Sequence, residues 1–348
     1  MTAAELGETA VVGAGPAGAY LAWQLARAGV PVDIYDDSHP REKPCGGVLS
    51  AETLAYTPDA ATLPSANPLT KVAFQTPYGR RFQVSPPRRS VAVDRAEFDR
   101  WLLQKALDAG ARHFDERVRG VDLADQRPRV HTRDRTVRYR RICGADGVLS
   151  IVAKAAGLRL SESQLGYTMG GWGPVVGDPG TVTVRFGDHI GYAWIINRAQ
   201  RASIGIGGPM SQRERLQPEF SAFLAEQGID AAQLKPFRWV IPFSDDPDHL
   251  ERPRCGGTWL TVGDAAGFCD PLTGEGIFLA IASAHEAAAA IVQGDHLSYE
   301  ARWRNRLGPN LYFGMRNRNL LASRPMAEHL LRMLRQNPDM GLSFFKLL

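Results

Sequence analysis

The stretch that decides the fold is Thr9-Ala10-Val11-Val12-Gly13-Ala14-Gly15-Pro16-Ala17-Gly18, with the run to Ala28 and the apolar segment Val32 to Tyr35 behind it. Thr9 to Val12 reads as a short buried strand, Gly13 to Gly18 as a glycine-rich turn, and Ala17 to Ala28 as a helix with Leu21 and Leu25 on one face. Gly29 ends that helix and Val32 opens a second strand, which makes a βαβ start. The turn has GxGxxG spacing. Gly13 permits the tight bend, Gly15 lets the backbone approach a pyrophosphate, Pro16 and Ala17 complete the turn, and Gly18 allows the helix to pack on the strand. Free N–H groups and partial positive charge at the helix start suit phosphates. Asp36, eighteen residues after Gly18, is placed to hydrogen-bond adenosine ribose hydroxyls and disfavours a 2′-phosphate there.

This fingerprint alone does not separate NAD from FAD, and a second segment decides. Gly263-Asp264-Ala265-Ala266-Gly267 puts an acid directly after the strand Trp259 to Val262. Asp270-Pro271-Leu272-Thr273-Gly274-Glu275-Gly276-Ile277 then supplies a Pro- and Gly-containing turn at a helix start. Asp264 can hold a ribityl hydroxyl. The backbone from Gly274 through Glu275 and Gly276 to Ile277 can lie against a flavin ring and stabilise negative charge at its N1 and O2 edge. The cofactor expected is FAD.

Outward from these two anchors, a Pro- and Gly-containing stretch runs from Pro40 to Gly47, the region after it to Pro68 reads as irregular, and Val72, Phe74, Phe82 and Val84 alternate around Pro77-Tyr78-Gly79 as a hairpin. Asp94 with Glu97 forms a capping-box pattern before a helix carrying Phe98, Trp101, Leu102 and Ala106. Arg112 to Phe114, Val118 to Leu123 and Val137 to Cys143 are strand material. Thr181 to Gly207 alternates as an antiparallel meander, and a long helix runs from about Gly274 to Val292. From Tyr299 the chain is helical, with Leu320, Leu321, Leu330, Leu331 and Leu334 as apolar positions. The expected fold class is α/β. A discontinuous Rossmann-like FAD-binding domain (1–68, 88–160 and 255–298) carries an inserted antiparallel-sheet substrate domain (69–87 and 161–254) and a helical C-terminal region, 299–348.

Composition narrows the remaining classes. A net charge of +4 from 41 Lys and Arg against 37 Asp and Glu gives no reason to expect a nucleic-acid partner. Basic clusters at Arg88 and Arg89, Arg133 to Arg141 and Arg302 to Arg318 read as solvated surface, with contact to phosphate or an anionic membrane face as the alternative. Cys45, Cys143, Cys255 and Cys269 have neither CxxC spacing nor scaffold density, so no metal is expected and a reducing cytoplasm fits. The N-terminus is not a signal peptide, and the apolar stretch from Ile277 to Val292 is interrupted and too short to span a bilayer. Any membrane contact is expected to be peripheral.

The chain resembles the flavoprotein class that includes aromatic hydroxylases, and more closely the geranylgeranyl reductase family. The resemblance rests on GAGPAG (Gly13 to Gly18), KPCGG (Lys43 to Gly47), DRAEFDRWLLQKA (Asp94 to Ala106), GADGVLS (Gly144 to Ser150) and GDAAGFCDPLTGEGI (Gly263 to Ile277). The tail Tyr299 to Leu311 adds to it, so essentially the whole chain is covered. It implies FAD contacts at Ala17, Asp36, Arg95, Val118, Asp264, Gly276 and Ile277. Arg95, at a helix start, can also face cofactor phosphates or ring on its own chemistry. Asp146 and Gly147 form the second family motif, which in hydroxylases supports both FAD and a transient nicotinamide donor; a plain β-turn is the alternative. Cys45, Gly46 and Gly47 would lie near the reacting face of the flavin. There the Cys45 thiol either orients substrate or donates a proton, or simply fills a tight glycine turn. Tyr192 and Trp194 are similar to the family's YxWxFP motif, which lines an apolar pocket. The rest of that motif is replaced by Ile195-Ile196-Asn197, and core packing of the two rings is the alternative.

The activity expected first is reduction of a carbon–carbon double bond of an apolar, isoprenoid-like substrate by hydride transfer from reduced flavin N5. NAD(P)H or a ferredoxin-type protein is the expected external electron donor, because the sequence has no second GxGxxG unit. The competing readings are a flavin-dependent monooxygenase acting on an aromatic or peptide-borne aromatic group, and a non-catalytic or redox-sensing flavoprotein.

Overall fold

The computed structural model describes residues 7–86, 88–187, 191–319 and 324–336. β1 (Gly7–Val12), α1 (Pro16–Arg27) and β2 (Val32–Tyr35) fall where the apolar periodicity puts them. After them come β3 (Val48–Leu49), α2 (Ala51–Tyr56), β4 (Asn67–Leu69), β5 (Lys71–Gln75), β6 (Arg81–Val84) and β7 (Ser90–Ala92). The chain continues through α3 (Arg95–Asp108), β8 (Arg112–Phe114), β9 (Gly120–Asp122), β10 (Arg129–His131), β11 (Thr136–Gly144) and α4 (Ile151–Ala155). β12 (Leu165–Gly173), β13 (Thr181–Arg185), β14 (Tyr192–Asn197), β15 (Ala202–Pro209), α5 (Arg213–Glu226) and β16 (Lys235–Pro242) follow. The last elements are α6 (Asp248–Glu251), β17 (Trp259–Thr261), α7 (Ile277–Val292), α8 (Tyr299–Arg306), α9 (Gly308–Asn317) and α10 (Arg324–Gln336).

One sheet contains the parallel strands β8-β2-β1-β11-β17, and β10 and β9 extend it antiparallel from the first half of β11. The chain steps outward from β1 to β2 and β8, then crosses back to β11 on the other side of β1. That reversal of strand order opens a crevice at the carboxyl ends of β1 and β11, the place where open α/β sheets bind ligands. α1 packs against both α3 and α7. α7 is apolar nearly all round and is therefore interior, with Ile277 through Ala284 buried without a break. Among the described residues no helix is long and apolar enough to cross a membrane.

The second sheet has the order β16-β12-β15-β14-β13-β5-β6. Its pairs are antiparallel except β5 with β13, where Val72 lies opposite Val182 in parallel register. The hairpin read from sequence forms as expected, Val72 opposite Val84 and Phe74 opposite Phe82.

Two local readings are corrected, and two others bear on the C-terminal region and the basic clusters. The region from Gly47 to Pro68 is not irregular throughout, because β3 and β4 flank β7 in a small three-stranded sheet and α2 lies between them in sequence. These strands are two or three residues long, too short for periodicity to register, and their partners are remote in sequence. Asp94 is the N-cap of α3, but its side chain makes no capping bond and the capping box does not form. Its carboxylate instead accepts from Arg198 and Arg201, Glu97 accepts from Ser65 N, and the helix start is served by Glu42, which accepts from Ala96 N. The C-terminal region is helical in its described parts, with Leu331 buried; Leu320 and Leu321 lie outside the described residues, as do the side chains of Leu330 and Leu334. The basic clusters are largely neutralised within the chain: Arg88 pairs with Glu52, Arg135 with Glu116, Arg140 with Glu8, Arg302 with Glu286, and Arg304 with Glu300.

Candidate active site

A groove of about 510 Å³ runs across the carboxyl ends of β1, β2 and β11 and over the start of α7. Gly13 forms its floor at φ +101°, and a Cβ there would lie 2.4 Å from the Ala145 carbonyl oxygen, so only glycine lets the two chains approach this closely. Gly15 caps α1 without offering a side chain, which leaves the first N–H groups of the helix available to a ligand. Gly18 lies behind the groove: a Cβ there would be 1.9 Å from the Gly13 carbonyl oxygen, so its absence sets the helix-to-turn packing.

Asp36 stands on the groove wall, engaged by its own loop. Oδ2 accepts from Ala14 N at 2.8 Å and from His39 Nδ1 at 2.8 Å. Oδ1 accepts from Ser38 N, Ser38 Oγ and His39 N at 2.7, 2.8 and 3.0 Å. A carboxylate offers about four lone-pair sites, so this one is saturated. Burial works to raise its pKa, but the His39, Ala14 and Ser38 hydrogen bonds outweigh that and hold the carboxyl well below the usual range.

Arg95 is 3% exposed and forks onto Asp99, with Nε–Oδ1 and Nη2–Oδ2 both 2.9 Å. It also neighbours the Cys45 sulfur, and together Asp99 and Cys45 outweigh burial to keep the guanidinium firmly charged. Cys45 Sγ accepts from Gly47 N at 3.3 Å. The whole loop is pinned by Arg198, fully buried, which donates to Glu42 at 2.5 Å, Asp94 at 2.9 Å and the Cys45 carbonyl at 2.8 Å. Further along the groove, Lys43 Nζ is 3.2 Å from Asp264 Oδ2, and both Lys43 and Arg41 lie over the Trp239 ring. Asp146 Oδ1 accepts from Ser150 Oγ at 2.5 Å and Oδ2 from Ile151 N at 2.6 Å, so this acid anchors the start of α4 while facing the groove.

A dinucleotide fits this wall. Its two buried polar atoms without partners, Arg41 Nε and Trp239 Nε1, border the groove together with the uncapped start of α1, and buried donors of this kind call for an acceptor.

A second cavity of about 200 Å³ meets the groove. Pro44, Cys45, Ile241, Gly274, Gly276 and Ile277 line both, so this is where the two spaces communicate. The rest of the second cavity is mostly apolar, with Val72, Val182, Val184, Trp194, Ile196 and Leu272 among its walls. Tyr192 enters from β14 and its hydroxyl donates to the Thr273 carbonyl, on the loop that leads to the junction. Burial, reinforced by Cys269 and Asp270, raises the Tyr192 pKa well above its ordinary value. Trp194 Nε1 donates to Ser203 Oγ at 3.1 Å. The ring is both cavity wall and core.

Residues 7–294 match the FAD binding domain family. The chain is 30% identical over 354 residues to digeranylgeranylglycerophospholipid reductase 2 of Methanothermobacter thermautotrophicus, covering 90% of this chain and 87% of that one. The chain belongs to the geranylgeranyl reductase family. It is an FAD-dependent oxidoreductase of that family, and it is also 29% identical to a geranylgeranyl diphosphate reductase of Rhodobacter capsulatus across 80% of this chain and 73% of that one. Among solved structures, a geranylgeranyl bacteriochlorophyll reductase-like protein of Thermoplasma acidophilum superposes with a TM-score of 0.83 at 21% identity, over 96% of this chain and 92% of that one. A probable FAD-dependent monooxygenase of Pseudomonas aeruginosa superposes with a TM-score of 0.74 at 17% identity, over 94% of this chain and all of that one. At such identities the likeness is one of fold.

Within this reductase-family chain, Gly13, Gly15, Pro16, Ala17, Asp36, Arg95, Val118, Asp146, Gly147 and Asp264 all line the groove. Gly46, Gly47, Tyr192, Trp194 and Glu275 line the second cavity, and Cys45, Gly274, Gly276 and Ile277 stand at the junction. Gly18 and Pro271 line neither; Pro271 packs beneath Gly314 of α9, where a Cβ would come within 2.9 Å of it. Sequence reading missed His39, Lys43, Trp239 and Arg198. Lys43 was visible inside the KPCGG segment, whereas Trp239 and Arg198 carry no local signal.

Proposed function

We propose that this enzyme reduces a carbon–carbon double bond of an apolar, isoprenoid-like substrate held in the second cavity. The observation that carries the reading is the junction, where an apolar cavity opens onto the cofactor groove through Cys45, Gly274, Gly276 and Ile277. The names of the relatives, both reductases of geranylgeranyl compounds, support the same class of substrate. Gly13, Gly15, Ala17 and the start of α1 would hold the FAD pyrophosphate, Val118 would lie at the adenosine end beside the loop that Asp36 braces, and Asp264 with Gly274 to Ile277 would hold the flavin end. When bound and reduced by an external donor, FAD supplies the hydride.

The protein's part is to exclude water, orient the alkene and deliver one proton. Tyr192 is assigned as the donor on geometry: it lines the second cavity, and its hydroxyl lies 3.7 Å from where a Gly274 Cβ would stand, beside the junction. Cys45 is committed to Gly47 N and Arg95, so it shapes the loop. The test is anaerobic mixing of the reduced enzyme with polyprenyl alkenes, beside an aerobic control. Reoxidation by the alkene with formation of the saturated product is the expected result. Turnover that requires oxygen and yields a hydroxylated product would instead establish a monooxygenase.

A further inference from the structure

The basic side chains that line the cofactor groove are His39, Arg41, Lys43, Arg95 and Arg117. Among the described residues, all but Arg41 face a carboxylate. His39 donates to Asp36, Lys43 lies 3.2 Å from Asp264, Arg95 forks onto Asp99, and Arg117 pairs with Asp37 at 3.1 Å. Arg41 instead lies over the Trp239 ring at 5.2 Å, and its buried Nε has no hydrogen-bond partner. The acids of the groove leave nothing for it. Asp37 is taken by Arg117, Glu116 by Arg135 at 2.7 Å and Asp264 by Lys43, while Asp36 and Asp146 are engaged by their own loops.

Trp239 is in the same condition. It stands on β16, in the sheet that carries walls of the second cavity, and its indole Nε1 is buried without an acceptor. Alternate side chains on a strand share a face about 7 Å apart, and Ile241, the next on this face, lines both the groove and the second cavity. The unpaired indole N–H therefore belongs to a residue one repeat from the junction. The face of its ring holds both Arg41 and Lys43, the latter at 5.5 Å. Buried donors without acceptors cost free energy, and two of them beside one groove mark the place of an acceptor from outside the chain.

The charge on the wall indicates which acceptor. FAD brings a doubly charged pyrophosphate, against which the start of α1 sets only about half a positive charge. Arg95 is cancelled by Asp99. Arg41 is then the cation, among the described lining residues, left to complete the neutralisation.

We propose that Arg41 and Trp239 close on the bound cofactor as a clasp, with the guanidinium on the FAD pyrophosphate and the indole N–H on an FAD oxygen beside it. Because β16 belongs to the second sheet, the cofactor ties that sheet to the dinucleotide-binding one, and FAD loading firms a wall of the substrate cavity. The proposal rests on the groove as the FAD site and is independent of the reaction at the junction.

The test is calorimetric titration of the whole chain, stripped of cofactor, with FAD and with ADP, which carries the diphosphate without the flavin. Arg41→Gln is expected to weaken both ligands alike by at least about tenfold, the size of a lost hydrogen bond to a charged group. Arg41→Lys, which keeps the charge, recovers part of that loss. Trp239→Phe keeps the ring under Arg41 and removes only the N–H, and is expected to weaken FAD by about three- to tenfold. Hydrogen exchange supplies a reading apart from affinity: amides of β16 gain protection on FAD loading, and gain less in Trp239→Phe at saturating FAD. An FAD affinity within about twofold of the parent in folded Arg41→Gln, or a loss for FAD without a loss for ADP, overturns the pyrophosphate contact. Absence of any gain in β16 protection overturns the clasp. If inorganic diphosphate binds the FAD-loaded parent and that binding is lost in Arg41→Gln while FAD affinity is unchanged, the arginine serves a second phosphate-bearing ligand and the proposal falls.

Discussion

Tyr192 and His249 show how single side chains here draw their properties from burial. Burial raises the Tyr192 pKa, and the residue lines the second cavity beside its junction with the groove. Tyr192→Phe is expected to leave FAD binding and the flavin spectrum intact while slowing alkene-driven reoxidation about a hundredfold, the size of a lost general acid, measurable by anaerobic stopped flow. His249 packs under the Gly263 to Gly267 turn, where a Cβ on Gly267 would come within 2.3 Å of its Nε2. Burial first, then Arg254 and Arg252, push its pKa from 6.5 down to about 3. The folded state therefore holds it neutral, and its stability contribution is complete above pH 6.5 and is lost as pH falls from there toward 3. The loss amounts to about 2 kcal/mol between pH 7 and pH 5. Denaturant midpoints measured across that range should show a decline that His249→Gln flattens. Arg252 and Arg254 are near in sequence, but the burial that dominates comes from the fold, which packs His249 against the turn at Gly267.

Among the elements, α1 was fully legible and the start of α3 was not. α1 owes its limits to Pro16 at the front and Gly29 at the back, both local signals. Asp94 and Glu97 carry the right letters for a capping box, yet tertiary partners outcompete the local bond: Arg198 and Arg201, over 100 positions away, take Asp94, and Ser65 N takes Glu97. Two charged donors held at 2.9 Å outweigh a neutral N–H at the helix start. The same arginine pair joins the KPCGG loop to β14 and β15. Arg198→Ala is expected to cost about 3 kcal/mol, because it strands Glu42 and Asp94 with only Arg201 for company. It should also weaken FAD binding by loosening Cys45, and chemical denaturation with fluorescence titration of the cofactor reads both effects.

For the whole molecule, the groove collects residues from β1, β2, β11, the loop before α7 and β16, which are separate stretches of chain brought together by two sheets. A cofactor that touches all of them couples their stabilities. Saturating FAD at about a hundred times its Kd adds roughly 2.7 kcal/mol, or about 3–5 °C in the melting midpoint for a chain of this size; an unchanged midpoint between apo and FAD-loaded protein would contradict the assignment of the groove. The sequence by itself determined the βαβ start, the glycine-rich loop from Gly263 to Gly276, the hairpin, the meander and the buried helix α7, because glycine positions and apolar periodicity act over a few residues and need no partner. Only the tertiary structure decided which acid serves which role. Asp36 spends its oxygens on Ala14, Ser38 and His39, Asp146 anchors α4, and Asp264 pairs with Lys43. It likewise decided that a mostly apolar chamber meets the groove at Cys45, Gly274, Gly276 and Ile277. Hydrogen-bond saturation and cavity walls are set by groups that meet across the fold, and spacing along the chain does not encode such meetings.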